Sequence, residues 1–166
     1  MLLDLSKIID CPGASSSFAT SVDLSDLRYG TGYPVSEPVR ASGIVRNTAG
    51  VLIMTGTVET TIHGVCDRCA SDFDRKMEVP IDVVLVTELT NEENEDEWVF
   101  PLEGNNADLE DIVRTVFVLN MDSKLLCRED CRGLCFRCGK NLNDGPCDCR
   151  KEPDPRFAAL QQLLDQ

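Results

Sequence analysis

Aromatic side chains are scarce in this chain, at 5% of its 166 residues, with a single Trp and two Tyr. A core is still possible, because hydrophobic residues reach 42%, but it must be built mainly from Val, Leu and Ile. Histidine occurs once, at His63. No Ser-His-Asp set can be assembled around it, and the glycines form no phosphate-cradling loop. His63 reads as an ordinary strand residue rather than a metal ligand. Basic residues are also few, 16 against 29 acidic ones, for a formal charge of -13. Such a surface repels phosphate backbones and excludes sequence-nonspecific nucleic-acid binding by the protein as a whole. Long apolar runs are missing too. Nothing approaches the roughly 20 residues needed to span a bilayer, and Asp4 and Lys7 interrupt the first hydrophobic stretch. The expectation is a cytoplasmic protein with no signal peptide and no membrane contact.

What the chain does have is cysteine. Eight of its nine cysteines fall into four close pairs: Cys66 and Cys69, Cys127 and Cys131, Cys135 and Cys138, Cys147 and Cys149. Cys11 stands alone and reads as a plain thiol. In a reducing compartment, paired cysteines point to metal before disulfides, and an odd count fits a fully paired disulfide framework poorly. A tetrahedral zinc takes four ligands, usually as two short chelating pairs, so four pairs predict two structural four-cysteine zinc sites. Iron–sulfur ligation is the alternative metal chemistry for such thiolates.

Spacing suggests how the pairs combine. Cys135-Phe136-Arg137-Cys138-Gly139 is a chelating turn, with a glycine suited to the positive φ that follows. Cys147-Asp148-Cys149 returns after a short, turn-rich loop through Asn143-Asp144-Gly145-Pro146, whose closure is cheap. One residue between ligands is a tight bite. These four predict one self-contained site. Cys66 and Cys69 with Cys127 and Cys131 predict the other, although spacing alone leaves cross-pairings open. Cys127 and Cys131, at i and i+4, would share a face if a helical turn persists there. Four thiolates leave no open coordination position, which argues for structure and against catalysis.

The middle of the chain is strongly β in character. Val39 to Asn47 and Val51 to Ile62 flank Thr48-Ala49-Gly50, which reads as a hairpin turn. Leu52, Met54, Val58 and Ile62 share one face of the second arm. A third strand runs from about Phe73 to Thr87 with Met77, Val79, Ile81, Val83 and Leu85 on one face, and the first cysteine pair lies in the connection before it. Before this region, Leu3-Leu5 with Ile8-Ile9 suggests a short strand. Pro12 to Ser17 reads as a loop and Phe18 to Val22 as a second short strand.

Residues 88–97 form an acidic run that reads as a solvated loop. Trp98 to Leu102 suggests a short closing strand. Leu109, Ile112, Val113, Val116 and Phe117 then recur with helical period, with Asp108 as N-cap and Glu110 and Asp111 in the first turn. This predicts a core helix over about 108–120. After Leu126 the apolar content collapses. Residues 127–149 hold six cysteines and three glycines, a segment that needs metal to fold. Beyond it, Pro155, Phe157, Leu160 and Leu164 suggest a short C-terminal helix. The expected architecture is α+β: an antiparallel β-sheet or partly open barrel with one packed helix over residues 1–126, and a cysteine-rich zinc-knuckle segment over 127–166.

The run from Leu126 to Asn143, with Cys66-Asp67-Arg68-Cys69 after a β hairpin, Cys147-Asp148-Cys149, and Asp154-Pro155-Arg156-Phe157-Ala158, resembles the YceD family of bacterial and plastid proteins. The resemblance covers roughly residues 40–165. Phe136 stands where proline is expected in that knuckle, a departure outside the ligand set. The resemblance implies a non-enzymatic role in accumulation or processing of large-subunit (23S) ribosomal RNA. Its implied partner is the precursor large ribosomal subunit, met through the RNA or a basic ribosomal protein, with no small-molecule substrate. It hands over no binding residues. The residues themselves offer a locally basic segment, Lys124 to Lys151, with seven basic side chains against four acidic ones. Arg132, Arg137 and Lys140 are its candidate contacts to RNA or protein. The bland reading is that they neutralise thiolate charge. Two other function classes fit the cysteines: a zinc-ribbon adaptor between proteins, and a thiol-based redox or metal-transfer protein.

Overall fold

A computed structural model describes residues 1–30, 32–87 and 98–149. The acidic run 88–97 and the expected C-terminal helix, together with Arg150 and Lys151, lie outside the described residues. Among the described residues the fold is mostly β with one helix. Strands β1 (Leu2–Asp4), β2 (Ser15–Val22), β3 (Val39–Thr48), β4 (Val51–Val65), β5 (Asp72–Val86), β6 (Val99–Pro101) and β7 (Asn106–Asp108) precede helix α1 (Leu109–Leu119). Strands β2-β3-β4-β5-β6 form an open sheet in that order, and β1 pairs with β7. All pairings are antiparallel except β5 with β6, which is parallel. The sheet does not close into a barrel.

The long hairpin arises where Ala49 and Gly50 both take positive φ, 53° and 94°. Thr48 then faces Val51 across a two-residue turn, the geometry whose twist suits flanking strands. Alternation does the rest. Leu52, Met54, Val58 and Ile62 of β4 and Val79, Ile81, Val83 and Leu85 of β5 all turn inward and are buried. Gly43 and Gly56 face each other on this inner side. A Cβ on Gly43 would lie 2.6 Å from the Gly56 Cα and 2.9 Å from the Phe18 ring. Gly43 thus makes room for an aromatic ring, and Gly56 for the backbone of β3 opposite it. Pro80 sits in β5 beyond the reach of β6, where the strand has a partner on one side only and a missing N–H is tolerated.

Helix α1 is capped by Asp108, whose carboxylate accepts the Glu110 N–H at 3.0 Å. Its five periodic apolar residues are all buried, and it packs against β1, β2 and β5. Two local expectations are corrected. Ser15 to Ser17 belong to β2 rather than to a loop, because they pair with Arg46, Val45 and Ile44; serines carry no hydrophobic alternation to announce a strand. Ile8 and Ile9 lie in a turn whose N–H groups both donate to Leu5 O. The short β7 was hidden because three polar-flanked residues carry no period.

Candidate functional site

The turn between β4 and β5 is built by local hydrogen bonds. Cys66 N–H donates to Ser71 O at 2.9 Å, and Ala70 N–H donates back to Cys66 O at 2.8 Å. This closes a loop from which both Cys66 and Cys69 turn inward. The segment after α1 is then clamped to it through Asp67. Asp67 N–H donates to Leu125 O at 2.8 Å, and Leu125 N–H donates to the Asp67 carboxylate at 2.7 Å. Two residues further on come Cys127 and, after a turn, Cys131. That turn holds Cys131 N–H on Arg128 O at 3.2 Å and is no helix. The expected helical face is therefore not what aligns this pair; the clamp at Leu125 and the turn at Arg128 do.

The eight paired cysteines gather in two groups, Cys66, Cys69, Cys127 and Cys131, and Cys135, Cys138, Cys147 and Cys149, and within each group the sulfurs lie within 4.8 Å of one another. Cys66 Sγ is 3.8 Å from Cys131 Sγ, and Cys69 Sγ is 3.7 Å from Cys127 Sγ. A tetrahedron of sulfurs at ~2.3 Å from a central ion has edges of about 3.8 Å. Both separations match that edge, so the group could hold one ion, and both are too long for disulfides. In a four-iron cluster each thiolate binds a different iron, which spreads the sulfurs further apart. Cys11 is exposed and joins neither group. His63 also stays outside, its Nδ1 2.6 Å from the Asp74 carboxylate across the β4–β5 ladder.

The thiols themselves point to a cation. Burial raises the Cys66 thiol, but N–H groups of Cys127, Cys69 and Arg68 outweigh it and lower it to about 6. Burial, then the Cys66, Cys131 and Cys69 sulfurs, raise Cys127 to about 12. Hydrogen bonding from the Asn143 side chain lowers Cys131. In the second group the N–H groups of Cys138 and Arg137 lower Cys135 to about 6. The Cys138 sulfur, ahead of burial, raises Cys149 to about 12. Thiolates packed this closely repel one another, and a cation held among them would offset that repulsion.

The second group rests on a copy of the first turn. Cys135 N–H donates to Lys140 O at 2.8 Å, and Gly139 N–H donates to Cys135 O at 2.9 Å. The two groups differ in exposure. Cys66, Cys69 and Cys131 are buried, whereas Cys138 and Cys149 are open to solvent. Arg132, Arg137 and Lys140 are exposed around the second group, and Phe136 at the tip of its turn is 80% exposed.

Several contributing residues escaped the sequence reading. Arg68 donates to Glu129 O at 3.0 Å and Cys131 O at 3.2 Å. Asn143 donates through Nδ2 to Cys131 Sγ at 3.3 Å, while its Oδ1 accepts from Arg132 N–H at 2.9 Å and from Arg128 at 2.7 Å. The only signal for Asn143 was its place in a turn-rich loop, which does not announce a reach to the other group.

Comparison with known proteins bears on the same residues. Residues 54–164 match the family described as large ribosomal RNA subunit accumulation protein YceD. A relative from Arabidopsis thaliana, named large ribosomal RNA subunit accumulation protein YCED homolog 1, chloroplastic, is 30% identical over 81% of this chain and 51% of its own length. An uncharacterized protein of Mycobacterium tuberculosis, Rv2926c, is 32% identical over 69% of this chain and 56% of its own. The chain thus spans about half the length of these relatives. No solved structure matches.

Proposed function

The chain belongs to the YceD family, and from that premise we propose that it is a non-enzymatic, zinc-bearing factor supporting accumulation or processing of large-subunit ribosomal RNA. The observation that carries the reading is the pair of closed four-sulfur groups. With four thiolates on one ion no position is left for water or substrate, the mark of a structural site. Soft thiolates in tetrahedral array suit Zn2+. Each ion would supply local folding free energy and fix a surface. In the first group Cys66, Cys69, Cys127 and Cys131 would hold it, and in the second Cys135, Cys138, Cys147 and Cys149. Function then lies in binding. The partner is the precursor large subunit, met in the cytoplasm through its RNA or a basic ribosomal protein, with Arg132, Arg137 and Lys140 as contacts. An acidic surface favours the protein component and the local cations favour RNA.

The test is co-sedimentation of the tagged full chain with precursor large subunits, together with elemental analysis of the purified protein. Two zinc ions per chain, and particle association lost in Cys135→Ser/Cys138→Ser, are expected. Iron in place of zinc overturns the metal assignment. Absence from those particles in a strain that depends on the protein overturns the role.

A second reading draws on the exposure of Cys138 and Cys149: a metal-transfer or redox protein using the outer group. It predicts native alkylation of Cys138 and Cys149 and metal loss to a weak chelator. Resistance of both thiols until a strong chelator is added removes it.

A further inference from the structure

The two sulfur groups are not independent. The loop that closes the second group, between Cys138 and Cys147, carries the side chain that completes the first. Asn143 Nδ2 donates to Cys131 Sγ at 3.3 Å, and its Oδ1 is held by Arg132 N–H and the Arg128 guanidinium, at 2.9 and 2.7 Å. Asn143 is itself positioned by Asn141, whose Oδ1 accepts from the Asn143 N–H at 3.0 Å and from its Nδ2 at 2.8 Å. Asn141 in turn pairs with Leu134 across the start of the second turn, and its Nδ2 lies 3.4 Å from Ser71 Oγ at the end of the first.

A backbone contact runs in parallel. Leu134 N–H donates to Arg68 O at 3.1 Å, between Cys66 and Cys69 in the chain. Gly133, at φ 73°, lies so close that a Cβ there would meet the Arg68 carbonyl oxygen at 2.9 Å. Arg68 meanwhile donates to Cys131 O. Among the described residues these struts each have one end in residues 131–143, the stretch that leads into the second turn and its short loop. No described residue after Cys131 belongs to either buried cluster, so an ion held there would supply much of the order of this stretch.

We propose that the two metal sites are thermodynamically coupled through Asn143: filling the Cys135, Cys138, Cys147, Cys149 site orders the 139–147 loop, which delivers the Asn143 amide to Cys131 and tightens the Cys66, Cys69, Cys127, Cys131 site. An N–H donor to a thiolate stabilises the charged ligand and fixes its lone pairs toward the ion. Loss of such an outer partner typically weakens metal affinity about 10–100-fold. Coupling of this kind is reciprocal, so emptying the first site weakens the second by the same factor. The order of loading follows. The outer group, exposed at Cys138 and Cys149, is open to arriving ions, and the buried group closes behind it.

The proposal rests on the metal reading, and one experiment separates the two. The full chain, reduced and stripped of metal, is titrated with Zn2+ against a chromophoric chelator. Site occupancy is read by mass-spectrometric alkylation of Cys66 and Cys69 versus Cys135 and Cys138. The wild-type chain is expected to protect both groups with two ions. Asn143→Asp keeps the oxygen that Arg128 and Arg132 use but replaces the donor with a carboxylate. It is expected to lower the affinity at Cys66 and Cys69 about 10–100-fold when the second group is filled, and the affinity at Cys135 and Cys138 by the same factor when the first is filled, while an ion loading Cys135 and Cys138 ahead of the first group binds as in the wild type. Cys135→Ser/Cys138→Ser and Cys66→Ser/Cys69→Ser are expected to weaken the surviving site by equal factors. Two ions bound with the Cys66 site unchanged in Asn143→Asp overturns the coupling alone. Fewer than two ions on the wild-type chain overturns the metal reading and the coupling with it.

Discussion

Ala70 and Gly139 occupy the same place in two copies of one turn. Each is the fourth residue after the first cysteine of a C-x-x-C pair, and each has positive φ, 53° and 71°. Each N–H donates to that first cysteine's carbonyl, at 2.8 and 2.9 Å. One copy meets the left-handed conformation with glycine and the other with alanine, whose Cβ makes that region cost about 1–2 kcal/mol. Ala70→Gly is therefore expected to stabilise the metal-loaded protein by about 0.5–1 kcal/mol, since extra freedom in the unfolded chain offsets part of the gain. Gly139→Ala should destabilise by a similar amount. Thermal melts in excess zinc should show Tm moving in opposite directions for the two variants. A fall in Tm for Ala70→Gly would show that the Cβ of Ala70 makes a contact worth more than its strain.

Metal removal should divide the molecule. The main core runs from Leu5 through the sheet to α1 and contains none of the paired cysteines. A second, small cluster is Cys66, Cys69 and Cys131, with Phe73, Leu126 and Cys127 against it. A chelator is thus expected to melt the two cysteine turns and residues 125–149, while β2 to β5 and α1 survive. In amide NMR spectra, signals from residues 66–71 and 125–149 should collapse toward random-coil positions and those of β3 and β4 stay dispersed. Loss of the dispersed strand signals at the same chelator concentration would show instead that the sheet depends on the ions.

The contrast between the two clusters also explains what the sequence could reveal. The β3–β4 hairpin, the inner faces of β4 and β5, and α1 follow from period and turn chemistry, because buried alternation and an Asp cap leave marks in the residue order. The short loop between Cys138 and Cys147 favoured one grouping of the cysteines, because its closure is cheap, but spacing left cross-pairings open. What the sequence does not carry is tertiary hydrogen bonding by single polar residues. Asn47 reads as the end of a strand arm and Asn143 as a turn residue, and both prove to hold distant backbone or sulfur. The parallel placement of β6 was equally hidden, since three residues fix no direction.

Asn47 offers the sharpest stability test among these. It is fully buried. Its Nδ2 donates to Ile8 O at 2.8 Å and Ile9 O at 2.7 Å, and its Oδ1 accepts from Gly50 N–H at 2.8 Å. One side chain thereby ties the hairpin turn to the segment after β1. Asn47→Leu is expected to cost about 2–4 kcal/mol, because backbone groups that it satisfied are left buried without partners. The readout is a lower denaturation midpoint at unchanged m-value in metal-loaded protein, with zinc content still two ions. A loss below 1 kcal/mol would mean that water replaces the amide at this position.

Surface and scaffold can be separated at the tip of the second turn. Phe136 is 80% exposed, and Arg132 and Lys140 are exposed beside it. Arg132 uses its backbone N–H to hold Asn143, which a side-chain change preserves, and Lys140 Nζ makes one surface bond to Pro146 O at 2.8 Å. Phe136→Ser with Arg132→Gln and Lys140→Gln should therefore leave metal content unchanged and shift stability by no more than about 0.5 kcal/mol. If the turn meets large-subunit precursors, the triple variant should dissociate from them at lower salt. The slope of association against salt should fall by about one to two ions, as removal of two phosphate contacts requires. An unchanged slope with weaker binding assigns the loss to Phe136 stacking or packing. Unchanged binding altogether assigns these cations to neutralising the thiolates, and moves the search for the contact surface to the acidic faces.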